Sequence, residues 1–261
     1  MIFSGFKPSC DRNRSEPTIC SLESAGEDFP YAEYRESVES FCLTAPSLPV
    51  AIRFAYWFPN LFRLSATSLG LTDGDLQIAV FPSGIEKVDF SDNKLTSLSD
   101  WSYYRLLREF VVERNAVCNI SCMKLPLSLT RLSLAGNEIE TFPDVSYLRF
   151  LDSLNLSSNR LCDVSVNIPA SVREMNLASN HIDALPDFRQ VFSRMEHLNL
   201  SNNEKLSSYI PTIVSAMPNL IDLSISGHHD LHRYFALRFL RVLNSIPVTE
   251  EQKLLLYLNS N

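Results

Sequence analysis

Two clusters in this chain have the residue types of a reaction centre. His228, His229, Asp230 and His232 place imidazoles and a carboxylate together, the donor set that holds zinc and related ions. Imidazole also donates and accepts hydrogen bonds, so His228 can instead serve buried backbone. His229 and His232 then fall in a loop, and no metal is expected. Cys118 and Cys122 have a three-residue gap, with no second cysteine pair or histidine nearby to complete a zinc site. Serine, histidine and aspartate are otherwise scattered. The chain has 7 glycines, and none stands in a phosphate-binding loop or a nucleophile elbow. No enzyme and no cofactor is expected.

What remains is recognition. Polar residues recur in columns, one of which reads Ser65, Asp89, Val111, Ser133, Asn155, Asn176, Asn199, Ser224. Beside it run Arg63, Lys87, Glu109, Arg131, Ser153, Glu174, His197, Asp222, and then Phe62, Glu86, Arg108, Thr130, Asp152, Arg173, Glu196, Ile221. The candidates for contact with a partner are Glu86, Lys87, Asp89, Arg108, Glu109, Val111, Glu113 and Arg131, followed by Asn155, Arg173, Asn176, His197 and Asn199. Arg114 belongs to the same mixed-charge stretch. The earlier members are charged, whereas the later ones are small or carry amides. The competing reading is that these are solvated residues pairing across strands. No aromatic cluster marks a hot spot among them.

These columns exist because an apolar frame repeats beneath them. The frame is apolar-x-x-apolar-x-apolar-x-x-Asn-x-apolar, as in Leu151, Leu154, Leu156, Asn159, Leu161. Its asparagines are Asn93, Asn115, Asn137, Asn159, Asn180 and Asn203, spaced 21 to 23 residues apart. Alternating leucines put one face of a short strand against a core, and a lone strand of this kind must stack on its neighbour. Where the chain turns beneath the leucines, it carries backbone N–H and C=O groups inward. A buried carboxamide can satisfy both kinds. The pattern resembles the leucine-rich repeat family. That resemblance implies an α/β solenoid: a right-handed horseshoe with parallel strands on the concave face and 3₁₀ or extended arcs on the convex face.

About eight repeats are expected over residues 61–231. The first has Leu69 in the asparagine place and the last has His228 there. The seventh and eighth each carry one extra residue. Residues 1–27 read as a flexible tail, 28–60 as a helical N-terminal cap and 232–261 as a C-terminal cap. In the N-terminal cap Tyr31, Tyr34, Val38 and Phe41 follow Pro30 at helical spacing. The arcs are of two kinds. Phe81-Pro82, Leu125-Pro126 and Ile168-Pro169 lead into alternate repeats through proline-fixed segments. The arcs 101–106, 145–150 and 188–194 are richer in aromatics and suit short helical turns.

Composition bounds the function. The chain has 261 residues, 45% hydrophobic and 20% charged, with a net charge of −7. An acidic balance argues against nucleic acid and anionic membranes as partners. No apolar run is long enough to span a bilayer. Lys7, Asp11, Arg12 and Arg14 interrupt any signal-peptide core. None of the 6 cysteines falls in the C-terminal cap, and they are read as reduced thiols of a cytoplasmic protein.

The segment with Arg233, Leu240, Leu243, Asn244, Val248, Thr249 and Glu251 resembles the C-terminal cap of the short intracellular leucine-rich repeat class. That class includes regulatory subunits of protein phosphatase 1, a spliceosomal protein, tubulin-folding cofactor E and axonemal proteins. The proline-led repeats are also similar to those of bacterial effectors and protist proteins of the family. The resemblance implies a monomeric scaffold or regulatory subunit that binds a protein partner on its concave face. Its alternatives are a phosphatase-targeting subunit, or a cytoskeletal or ciliary component. Lys87-Val88-Asp89-Phe90 matches the phosphatase docking motif, but Val88 and Phe90 are frame positions and are expected to be buried.

Overall fold

The computed structural model describes residues 18–19, 40–43, 55, 58–118, 120, 124–164, 168–183, 194–203, 205–206 and 219–225. The chain divides into two compact units, Met1–Asn137 and Glu138–Asn261.

In the first unit the elements follow one another as β1 (Thr18–Ile19), β2 (Ser40–Leu43), β3 (Arg63–Ala66), α1 (Asp73–Ile78), β4 (Lys87–Asp89), β5 (Glu109–Val111) and β6 (Arg131–Ser133). Each strand pairs in parallel with the next along the chain. The register aligns Phe41, Leu64, Val88, Phe110 and Leu132. Leu64, Val88, Phe110 and Leu132 are at most 1% exposed. Each such side chain contributes about 1.5–3 kcal/mol on burial. The second unit holds β7 (Ser153–Asn155), β8 (Glu174–Asn176), β9 (His197–Asn199) and β10 (Asp222–Ser224). These strands are also parallel, with Leu154, Met175, Leu198 and Leu223 in one buried column. Every frame read from the sequence therefore carries one strand, β3 to β10.

Upstream the outcome differs from the helical reading. Phe41 lies in strand β2, opposite Leu64, and not on a helix. The physical reason is that Val38, Phe41 and Leu43 fit the apolar frame as well as a helical stripe, and another strand satisfies the open edge of β3. Thr18–Ile19 adds β1 inside the stretch expected to be a tail. The remaining tail and cap residues before Ala55, and all of 226–261, lie outside the described residues.

Helix α1 was not expected. Its first turn carries Asp73 and Asp75, which favour the positive end of the helix dipole. The Asp75 carboxylate accepts from the Thr72 N–H at 2.8 Å and from its hydroxyl at 2.7 Å. The Asp73 carboxylate accepts from the backbone and hydroxyl of both Thr96 and Ser97, tying the helix to the following repeat. Burial alone would raise the Asp73 carboxyl, but these bonds outweigh it and hold its pKa below the ordinary value.

The asparagines do the work their spacing implies. In the first unit Asn93 Oδ1 accepts from the N–H groups of Leu69 and Leu71, both at 3.0 Å. Its Nδ2 donates to the carbonyls of Ala66 and Phe90, both at 2.8 Å. Asn115 and Asn137 repeat this with Leu95 and Val117 as donors. In the second unit Asn159, Asn180 and Asn203 accept from Ile139, Leu161 and Ile182. Each carboxamide therefore closes its own turn and also reaches into the coil before it. Just ahead of each ladder position stands a residue with left-handed backbone. Ser68, Asp92, Arg114, Ser158, Ser179 and Asn202 have φ between 51° and 59°, and Gly136 has 66°. Ser68 shows that the first repeat keeps this turn even with Leu69 in the asparagine place.

Both kinds of arc end alike, in a four-residue hydrogen-bonded turn. Ile85, Leu129 and Val172 donate to the carbonyls of Pro82, Pro126 and Pro169. In the aromatic arcs two such turns follow in succession: Tyr104 to Trp101 and Leu107 to Tyr104, then Leu148 to Val145 and Leu151 to Leu148. The arc 101–106 also packs Trp101 against Phe81, Phe90, Tyr104 and Phe110, with ring centroids 4.8 to 5.6 Å away.

Candidate protein-binding face

Strand pairing turns the polar columns of the sequence into rows on the outer face of each sheet. In the first unit the row Arg63, Lys87, Glu109, Arg131 is in register. Glu109 sits between two cations, with Lys87 at 2.9 Å and Arg131 at 3.6 Å. Burial would raise its carboxyl, but the Lys87 hydrogen bond and the charges of Lys87, Arg131 and Arg63 hold it below the ordinary glutamate value. At the strand ends Asp89 accepts from the N–H and hydroxyl of Ser91, and Glu113 accepts from the Ser133 hydroxyl at 2.6 Å. Arg114 bridges Asp92 and Glu113. Glu86, Lys87, Asp89, Glu109, Val111 and Glu113 are half-buried, and Arg108 and Arg131 are exposed. Exposed ion pairs of this type contribute roughly 0–1 kcal/mol each, so the network orders the surface more than it stabilises the fold.

The second unit presents a different face. Asn155, Asn176, Asn199 and Ser224 are in register, beside Ser153, Glu174, His197 and Asp222. Together they line a groove of about 280 Å³. Arg173 pairs with Asp152 through two bonds, at 2.6 and 2.9 Å, and lies 3.9 Å from Glu196. The Asp152 bond raises the Arg173 pKa. One carboxylate oxygen of the groove, Asp222 Oδ1, is buried without a hydrogen-bond partner among the described residues.

All the candidate contact residues lie on these faces, and none is buried. The structure gathers them into a charged patch in one unit and an amide-lined groove in the other. Glu174 and Asp222 join Asn176 and His197 in the groove, although neither stood among the candidates. Their signal was the column they share with His197. Val88 and Phe90 are 1% and 0% exposed, so Lys87-Val88-Asp89-Phe90 cannot dock in extended form. Among the described residues no group of three or more metal-ligating side chains converges, and no helix is long and apolar enough to cross a membrane. The His228, His229, Asp230 and His232 group lies outside the described residues, and so does the segment carrying the cap resemblance.

No protein-family model matches the chain, and no curated protein does. Solved structures do. The leucine-rich repeat domain of APL1B aligns with a TM-score of 0.56 at 18% identity, covering 87% of this chain and 64% of that one. The leucine-rich repeat domain of APL1 aligns with a TM-score of 0.52 at 19% identity, covering 82% and 63%. The fold is a leucine-rich repeat solenoid. An internalin-like protein of Listeria monocytogenes also aligns, with a TM-score of 0.49 at 18% identity over 64% of this chain and 52% of that one. This chain spans less than two thirds of the length of each of these structures. At such identities the likeness concerns the fold alone.

Proposed function

We propose that this chain is a non-enzymatic interaction module that binds a protein partner across the strand faces of its repeats. The observation that carries the reading is the register. Side chains one strand apart stand in rows, so within each unit a partner meets an ordered polar surface. A scaffold or regulatory role in the cytoplasm is what the family resemblance implies. The phosphatase-targeting alternative loses its docking motif to burial.

The test is an affinity pull-down with the full chain. Wild type is compared with a variant carrying Arg108→Glu and Glu109→Arg, and with one carrying Glu174→Gln and Asp222→Asn. Loss of a recovered protein in either variant, with unchanged melting, supports the reading. Equal recovery by all three places the partner elsewhere and overturns it.

A further inference from the structure

The groove of the second unit offers two rows of opposite hydrogen-bonding character. In the first row the asparagine oxygens are already used. Asn155 Oδ1 accepts from Ser157 N–H, Asn176 Oδ1 from Ala178 N–H and Asn199 Oδ1 from Ser201 N–H, each at 3.1 Å. A backbone N–H can bond only to the oxygen of a carboxamide, so each side chain is fixed with its amide nitrogen free to face the groove. Those Nδ2 groups have no partner among the described residues. Strand pairing spaces them about 4.8 Å apart. The result is a row of donors that demands acceptors.

The second row does the reverse. Glu174, His197 and Asp222 lie side by side on β8, β9 and β10. Two of them are carboxylates, and acceptors without donors when ionised. Asp222 Oδ1 is buried with no hydrogen-bond partner among the described residues. Its burial means that an incoming cation meets this oxygen only when the side chain turns toward the groove, and that pairing would remove the penalty of an orphan acceptor. Arg173, the nearby cation, is engaged by Asp152 and faces Glu196.

A row of donors beside a row of acceptors matches polypeptide backbone, which offers carbonyls and N–H groups along one line. The carboxylates add a demand for positive charge. At about 280 Å³ the groove is at the small end of ligand pockets, and its lining of amides, carboxylates and imidazole is unlike their mostly apolar walls. We infer that this groove takes an extended segment of the partner that carries a lysine or arginine, with carbonyls of the segment along the asparagine row and its cation beside the carboxylates of Glu174 and Asp222. This rests on the interaction reading above and gives that partner's contact its chemistry.

The experiment selects a displayed random-peptide library on the immobilised full chain and then measures the affinity of the enriched peptides. Lysine or arginine should be enriched at one fixed position. Glu174→Gln with Asp222→Asn should weaken binding by roughly tenfold or more, whereas Arg149→Glu, at an exposed position of the arc 145–150, should leave it unchanged. Glu174→Gln alone, at an exposed position, should give part of the loss and excludes a folding defect. Enrichment of neutral or acidic peptides overturns the inference, as do indifference to the two groove substitutions and the absence of any enriched peptide. If the pull-down recovers a partner through the face while the peptides behave in one of these ways, the groove assignment falls and the interaction reading stands.

Discussion

Arg114 and Asp92, one repeat apart, hold each other through two bonds of 2.6 Å while both keep left-handed backbone. Each occupies the turn that precedes a ladder asparagine. The ion pair therefore bridges two strained turns across the surface of the first unit. The guanidinium lowers the Asp92 carboxyl first through its hydrogen bonds and then through its charge.

A titration follows from that pair. Followed by carbon NMR, the Asp92 carboxyl should titrate below the ordinary aspartate value of 3.8. In Arg114→Ala it should return toward that value. The sign for stability is fixed by the direction: a depressed folded value contributes above the unfolded pKa and is lost as pH falls through the folded one. Both side chains are exposed, so the contribution is small and should shrink further with salt. An Asp92 curve that ignores the arginine substitution would mean the pair does not persist in solution.

The ladder gives a larger effect. Asn180 Oδ1 accepts from Leu161 N–H at 3.1 Å, and its Nδ2 donates to the carbonyls of Leu156 and Leu177, both at 3.0 Å. The side chain is 4% exposed. Asn180→Ala removes both kinds of partner from interior backbone, at roughly 1–3 kcal/mol per group left unsatisfied. Chemical denaturation should show a loss of about 3 kcal/mol. Asn180→Asp keeps the acceptor but deletes the donors and buries a charge, so it should be no milder at neutral pH. An unchanged midpoint for both variants would remove the ladder as a source of stability.

How much of this could be read beforehand depends on how far chemistry enters the repeat. Asn93 to Asn203 were legible because few side chains of that size both donate to and accept from backbone, so the residue type itself is constrained. The left-handed turns were not. Serine, aspartate, arginine, glycine and asparagine share that position, and Ser68 adopts the conformation even with Leu69 after it, so no residue type marks the turn. Phe41 was ambiguous because Tyr34, Val38 and Phe41 satisfy a helical period while Val38, Phe41 and Leu43 satisfy the frame. Helix α1 left a trace in Thr72 and Asp75, a capping pair three residues apart, and in the long gap between Leu64 and Val88. The groove was half legible: its columns followed from the frame, but the free Nδ2 groups and the orphan Asp222 oxygen depend on bonds no column reveals.

Two glycines separate backbone strain from contact. Gly70 and Gly136 have φ of 69° and 66°. A Cβ at Gly70 would meet only the flexible end of Lys94 at 3.9 Å, whereas one at Gly136 would come within 3.1 Å of Arg114 Cγ and 3.4 Å of its backbone nitrogen. Gly70→Ala should cost about 1 kcal/mol, the backbone term alone. Gly136→Ala should cost more, roughly 2 kcal/mol, and should also loosen the Arg114–Asp92 pair. Denaturation of the two variants side by side checks this, and equal losses would show that Arg114 yields without cost.

Helix α1 supplies the last test, because its anchor is a titrating group. Asp73 joins the helix to Thr96 and Ser97 through bonds of 2.6 to 3.3 Å. Those bonds favour the charged carboxylate over its protonated form, and so depress its pKa below 3.8. The stability they contribute is present above the unfolded value and disappears as pH falls through the folded one. Asp73→Asn should therefore be less stable than wild type at neutral pH, by roughly 1 kcal/mol for bonds partly open to solvent. The difference should begin to narrow as the pH drops below the unfolded value of about 3.8 and should vanish only below the depressed folded value, where wild type is protonated as well. Urea titrations of both proteins at neutral and acid pH measure the gap directly. A gap that stays constant would assign the effect to the shape of the side chain and not to its charge, and the link between α1 and the next repeat would then be one of packing.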